Sequence, residues 1–156
     1  MMPTAKKLIK KLIKNKLSLA VAESASGGYT SYLLTKTPGS SKVFKGGLVV
    51  YSLEAKNKLL GLPIKNLKKT QGVSKSVALA LAKGIRKKLN ADIGASLVGF
   101  AGPDSPKGIK PGTFFIAVSF KKTRSKKIFI QGTRDQVRKK ASQLLIRLIY
   151  ESFYRY

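Results

Sequence analysis

Leu17-Ser18-Leu19-Ala20-Val21-Ala22, running into Glu23-Ser24-Ala25-Ser26-Gly27-Gly28, is the stretch that decides the fold. Its first six residues read as a short apolar strand, the next six as a turn of small and hydroxyl residues, and the segment through Thr35 as a helix. Strand, small-residue turn and helix in immediate succession is the local unit of an α/β protein. The flanking chain repeats it. Upstream, Ala5 to Lys16 carries Ala5, Leu8, Ile9, Leu12 and Ile13 at helical spacing, with lysines filling the other face. Downstream, Gly46 to Tyr51 reads as a second strand and Ser52 to Leu60 as a helix closed by Gly61. Gly72-Val73-Ser74 opens a helix reaching to about Asn90, with Ser74 as its N-cap and Val77, Leu81 and Ile85 on its buried face.

Asp92 to Val98 is a third strand, and it ends in a second small-residue turn, Gly99-Phe100-Ala101-Gly102-Pro103. Thr113 to Phe120 and Lys126 to Gln131 read as an antiparallel pair joined by a lysine-rich turn. A last helix starts near Thr133-Arg134-Asp135. Alternating strands and helices followed by a hairpin predict a three-layer α/β/α sandwich with a mixed, largely parallel sheet. No internal repeat or linker divides residues 1–156, so one domain is expected. Ligands of such sheets collect at the carboxyl ends of the strands, where both small-residue turns lie, so the two turns are expected to form one site.

Composition narrows the chemistry. The chain has no cysteine and no histidine, which removes thiol nucleophiles, zinc-thiolate sites and the commonest general base. Catalysis must then run on Ser, Thr, Lys, Tyr, Arg or carboxylates. Acids are limited to six, Glu23, Glu54, Asp92, Asp104, Asp135 and Glu151, spaced too widely for a two-metal or paired-carboxylate centre. No metal and no organic cofactor is expected. The net charge of +26 favours polyanions, but Lys and Arg are spread as 9, 10 and 13 over successive thirds of the chain, without a basic tail. Weak, salt-sensitive adsorption to nucleic acid is the expected consequence. No apolar run approaches the roughly 18 residues that span a bilayer, and no signal segment is evident, so no membrane partner and a cytoplasmic location are expected.

Two segments carry candidate chemistry. In Glu23 to Gly28, bare backbone and hydroxyls at a helix start favour a phosphate or a developing oxyanion. In Tyr51-Ser52-Leu53-Glu54-Ala55-Lys56 a tyrosine and a lysine fall about one helical turn apart. A lysine near a helix start opposes the dipole, which lowers its pKa. Glu23 and Glu54 either satisfy helix termini or orient Lys56.

Together these motifs resemble the C-terminal domain of the competence-damage-inducible CinA family, which also exists as a stand-alone nicotinamide-nucleotide amidohydrolase. The family pattern Ala-Glu-Ser-Cys-Thr-Gly-Gly is matched by Ala22-Glu23-Ser24-Ala25-Ser26-Gly27-Gly28, and Tyr-Ser-Asn-Glu-Ala-Lys by Tyr51 to Lys56. Gly72-Val73-Ser74, Ala91 to Gly94 leading to Gly99 to Asp104, Lys110 to Thr113 and Gly132-Thr133-Arg134 follow in order. The resemblance implies hydrolysis of nicotinamide mononucleotide to nicotinate mononucleotide and ammonia. It implies Ser24 as nucleophile and Lys56 as its base, with Ser26 the alternative hydroxyl and Tyr51 assisting proton transfer. Backbone amides near Ser26, Gly27 and Gly28 would hold the oxyanion, and Gly102, Thr113 and Arg134 the phosphoribosyl part. It also implies association between copies. Ala25, Leu53, Val98 and Thr133 depart from the family pattern, with Leu53 and Val98 removing polar groups expected in the pocket wall and Thr133 an expected partner of Arg134. A non-catalytic domain binding a nucleotide or a protein, and a basic nucleic-acid-associated competence or repair protein, are the alternatives.

Overall fold

The computed structural model describes residues 3–154. Its elements are α1 (Ala5–Asn15), β1 (Leu19–Glu23), α2 (Tyr29–Thr35), β2 (Phe44–Val49), α3 (Leu53–Leu60), α4 (Ile64–Lys69), α5 (Lys75–Lys88), β3 (Ile93–Gly99), β4 (Thr113–Ser119), β5 (Thr123–Phe129) and α6 (Arg134–Glu151). The five strands form one sheet in the order β2-β1-β3-β4-β5. β1 runs parallel to both β2 and β3, and β4 and β5 are antiparallel additions. The expected mixed α/β sheet is what forms.

Alternation along the central strands divides the helices. Leu19 and Val21 of β1, with Ile93, Ala95 and Leu97 of β3, pack in a core with α1, α2 and α6. Ala20 and Ala22 point the other way and join a second core with Val77, Ala78, Leu81, Ala82 and Ile85 of α5 and Leu67 of α4. The α5 face is built from small groups, so helix and sheet approach closely. A Cβ on Gly94 would collide with the Ala82 carbonyl oxygen and come within 2.6 Å of the Arg86 Cβ. Gly94→Ala is therefore expected to lower stability by about 2 kcal/mol through overpacking, read as a drop in the urea midpoint at unchanged slope.

Element boundaries differ from the sequence reading where caps intervene. Lys16 leaves α1 in the left-handed region (φ 53) and its amide and that of Leu17 close the helix on Ile13 and Leu12, so β1 begins only at Leu19. β2 starts at Phe44 and stops at Val49, because Ser52 caps α3 by accepting from the Ala55 amide at 3.0 Å. β5 pairs with β4 from Thr123, directly after the turn, so it runs earlier than expected. α4, which follows Pro63, has no counterpart among the elements read from sequence. Ser74 and Gly61 cap as expected.

The connection from β1 through α2 to β2 passes over one face, and that from β2 through α3–α5 to β3 over the other. The sheet order therefore reverses between β1 and β3, which opens a crevice at their carboxyl ends. Ser24 and Gly99 to Ala101 stand at that crevice.

Candidate active site

Ser24 follows the last residue of β1, and its amide donates to the Leu97 carbonyl at 3.1 Å, which extends the β1–β3 ladder to the nucleophile candidate. Lys56 lies in the first turn of α3, with a side chain only 2% exposed. Its Nζ is 2.9 Å from Ser24 Oγ, 2.8 Å from the Val50 carbonyl oxygen and 3.2 Å from that of Tyr51. All three partners are uncharged. Burial therefore disfavours the ammonium and pushes the Lys56 pKa down from 10.5 to about 8.

The three partners also aim the nitrogen. As an ammonium, Lys56 donates one N–H to each. Once a proton leaves, two N–H bonds satisfy the two carbonyls and the lone pair faces the Ser24 hydroxyl, which then donates to it. A pKa of about 8 makes roughly a tenth of the molecules neutral at pH 7. The structure brings Ser24, not Ser26, to the amine. Ser26 is fully buried, and its hydroxyl has no hydrogen-bond partner among the described residues.

Ser24 and Lys56 line a cleft of about 200 Å³ with Tyr51, Gln71, Gly102 and Arg134. The two small-residue turns thus meet in one site, as their placement at one sheet edge predicts. Tyr51 stands at the rim, 59% exposed, and its hydroxyl accepts from Arg134 Nη2 at 3.2 Å. Arg134 Nη1 donates to the Gly102 carbonyl at 2.6 Å. Thr113 is placed differently: its hydroxyl donates to the Lys110 carbonyl at 2.8 Å, which ties a turn, and it does not line the cleft. Gly27 and Gly28 lie behind the wall, the Gly27 amide donating to the Ser24 carbonyl at 3.0 Å and Gly28 serving as the N-cap of α2. Larger hollows of about 390 and 430 Å³ lie beside Leu33 and Ile146 and beside Leu79 and Arg124, and neither brings a buried lysine to a hydroxyl.

Both glutamates serve helix termini. Glu23 is fully buried and accepts from the Thr30 and Ser31 amides at the start of α2, at 2.8 and 2.9 Å. Glu54 is exposed and pairs with Lys58 at 2.7 Å. Neither touches Lys56, so the orienting role considered for them is corrected: two backbone carbonyls hold the amine. The pocket wall is corrected too. Leu53 packs toward Gly72, Val98 is buried in the α5 core, and Thr133 caps α6 in a capping box with Gln136, so none of these three leaves a gap in the cleft. Among the described residues, no group of three or more acidic, histidine or cysteine residues could hold a metal. Among the described residues, no helix is long and apolar enough to cross a membrane.

Sequence reasoning missed Arg138. Its Nε donates to the Ala25 carbonyl at 2.9 Å and its Nη2 to that of Ser26 at 3.1 Å, so it grips the nucleophile turn from α6. The available signal was an arginine one helical turn after Arg134 in a chain whose basic residues are mostly lysine.

Residues 2–153 match the CinA C-terminal domain. The chain belongs to that family. Its CinA relatives include a CinA-like protein of Gemmatimonas aurantiaca, 38% identical over 141 residues and 89% of this chain, and one of Chlorobium limicola, 39% identical over 143 residues and 87% of this chain. This chain spans a third of the length of each, 33% in both cases. The crystal structure of a competence-damaged protein (CinA) superfamily protein from Klebsiella pneumoniae superimposes with a TM-score of 0.93 at 24% identity, covering 97% of this chain and 96% of that one. The CinA fold is thereby shared across nearly the whole chain.

Proposed function

We propose that this chain hydrolyses the carboxamide of nicotinamide mononucleotide, with Ser24 as nucleophile and Lys56 as general base. The 2.9 Å contact between a buried, carbonyl-held lysine nitrogen and the Ser24 hydroxyl carries the reading. The substrate follows from the CinA resemblance, in a chain without the histidine or cysteine that other amidases use.

Neutral Lys56 takes the Ser24 proton as Oγ bonds to the carboxamide carbon, whose oxygen becomes an oxyanion. The Lys56 ammonium then returns that proton to the nitrogen as the C–N bond breaks, releasing ammonia and leaving an ester on Ser24. Water, deprotonated by Lys56, attacks this ester and frees nicotinate mononucleotide and the Ser24 hydroxyl. The cleft of about 200 Å³ takes the ring and its carboxamide, and the phosphate lies over the rim, where Arg134 has donors beyond those used on Gly102 and Tyr51. The +26 charge draws in an anionic substrate and adds to its on-rate at low salt.

Purified protein is expected to release ammonia stoichiometrically with nicotinate mononucleotide. Ser24→Ala should reduce the rate by at least about a thousandfold, and Ser26→Ala should leave it within about tenfold of wild type. Saturable binding of the mononucleotide with no ammonia release by the wild type would instead make this a non-catalytic binding domain.

A further inference from the structure

We infer that Arg138 is a positioning residue that holds the Ser24 turn so that the Ala25 amide faces the oxyanion. This deepens the proposed hydrolysis and rests on that reading. Arg138 sits on α6, 112 residues beyond Ser26, and its two bonds to the Ala25 and Ser26 carbonyls come from one guanidinium edge. The remaining contact, 3.9 Å to Asp135, is long, and that carboxylate is 66% exposed and shared with Lys139, so the two carbonyls set the orientation of the guanidinium.

Peptide planarity turns this grip into an orientation of the opposite edge. In a trans peptide the C=O and the following N–H point in opposite directions, so drawing the Ala25 carbonyl toward Arg138 turns the Ser26 amide away from it. By the same rule the Ser24 carbonyl, occupied by the Gly27 amide at 3.0 Å, leaves the Ala25 amide on its far side. Neither the Ala25 nor the Ser26 amide donates to a protein acceptor among the described residues. Ser26 is fully buried and Ala25 lines the cleft, so the Ala25 amide is the donor next to the nucleophile, and the Arg138 bond to the Ala25 carbonyl fixes that residue.

Gly27 is what lets the clamp close. It holds φ +58, and a Cβ there would stand 2.8 Å from Arg138 Nη2, where a side chain would displace the guanidinium. Arg134, one turn earlier on the same helix, holds the Gly102 carbonyl of the other turn, so α6 grips both walls of the cleft.

The test follows two readouts in wild type, Arg138→Ala and Arg138→Lys: kcat and KM for ammonia release from the mononucleotide, and the rate of Ser24 acetylation by p-nitrophenyl acetate, followed by intact mass. Both variants should lose kcat by about a hundredfold with KM within about threefold, and acetylation should slow in parallel. Guanidinium at millimolar concentration should restore at least about tenfold of the Arg138→Ala rate, with potassium having no such effect. Unchanged kcat overturns the inference, as does a rise in KM alone, or a loss that guanidinium does not relieve in a variant that melts like wild type. If Arg138→Ala does not fold, Arg138→Lys keeps the cation but not the two-pronged fork and must show the kcat loss alone. A wild type that acetylates at Ser24 but releases no ammonia overturns the substrate assignment and leaves the clamp to be judged on acetylation rates. One that does neither overturns both.

Discussion

Lys56→Met should release ammonia about a thousandfold more slowly than wild type and yet be at least as stable at pH 7. The amine is 2% exposed and all of its partners are neutral, so its charge is unfavourable in the folded state and its pKa falls from 10.5 to about 8. That gap corresponds to about 3 kcal/mol of destabilisation below pH 8. Methionine fills the same channel without charge, and the loss of two carbonyl hydrogen bonds, about 1 kcal/mol each, offsets only part of the gain. The penalty fades in alkali. Between pH 8 and 10.5 the unfolded chain holds the proton that the folded chain has released, so wild-type stability climbs relative to the variant. Melting curves at pH 7 and pH 10 should therefore show the advantage of Lys56→Met shrinking as pH rises. A variant less stable than wild type by the same amount at both pH values would mean that the lysine is a structural cation and not a tuned base.

Glu23→Ala should lower stability by about 3 kcal/mol, a fall of roughly 10 °C in Tm. The carboxylate is fully buried at the end of β1, and besides the two α2 amides it accepts from Ser31 Oγ at 2.6 Å. α2 has only seven residues, its N-cap is Gly28, which supplies no side-chain acceptor, and its first turn contains no acid. Glu23 therefore does from the strand what a capping side chain does from the helix, and its loss strands two amides and a hydroxyl in the interior. Because Ser24 is the next residue, activity should fall as well. Glu23→Gln, which retains one acceptor oxygen but turns an NH₂ toward the donors, should lose an intermediate amount. A loss below about 1 kcal/mol for Glu23→Ala, by urea denaturation, would show that the amides find other acceptors.

The order of elements, α4 apart, was legible because β1 and β3 run into turns rich in small residues and α3, α5 and α6 start at recognisable caps, Ser52, Ser74 and Thr133. The two turns could be assigned to one edge from topology alone. The choice between Ser24 and Ser26 could not, since it depends on how a side chain 32 residues away threads between α3 and β1. The glutamates were ambiguous for a similar reason: a carboxylate beside a helix start reads the same whether it serves the helix or a neighbouring base. Leu53 and Val98 suggested a damaged pocket because their alignment places them in active-site motifs, whereas their side chains point into packing. Arg138 gave the weakest signal, its spacing of one helical turn from Arg134, in a chain with 32 basic residues.

The nitrogen of Lys56 can be followed directly by ¹⁵N NMR of lysine-labelled protein across pH 6 to 11, with Lys56→Met identifying the signal. A midpoint near 8 in the absence of substrate, matched by a rising limb at the same pH in kcat/KM for ammonia release, is the expected result. A midpoint near 10.5, with a rate that is flat through pH 8, would contradict a neutral Lys56 as the base that activates Ser24.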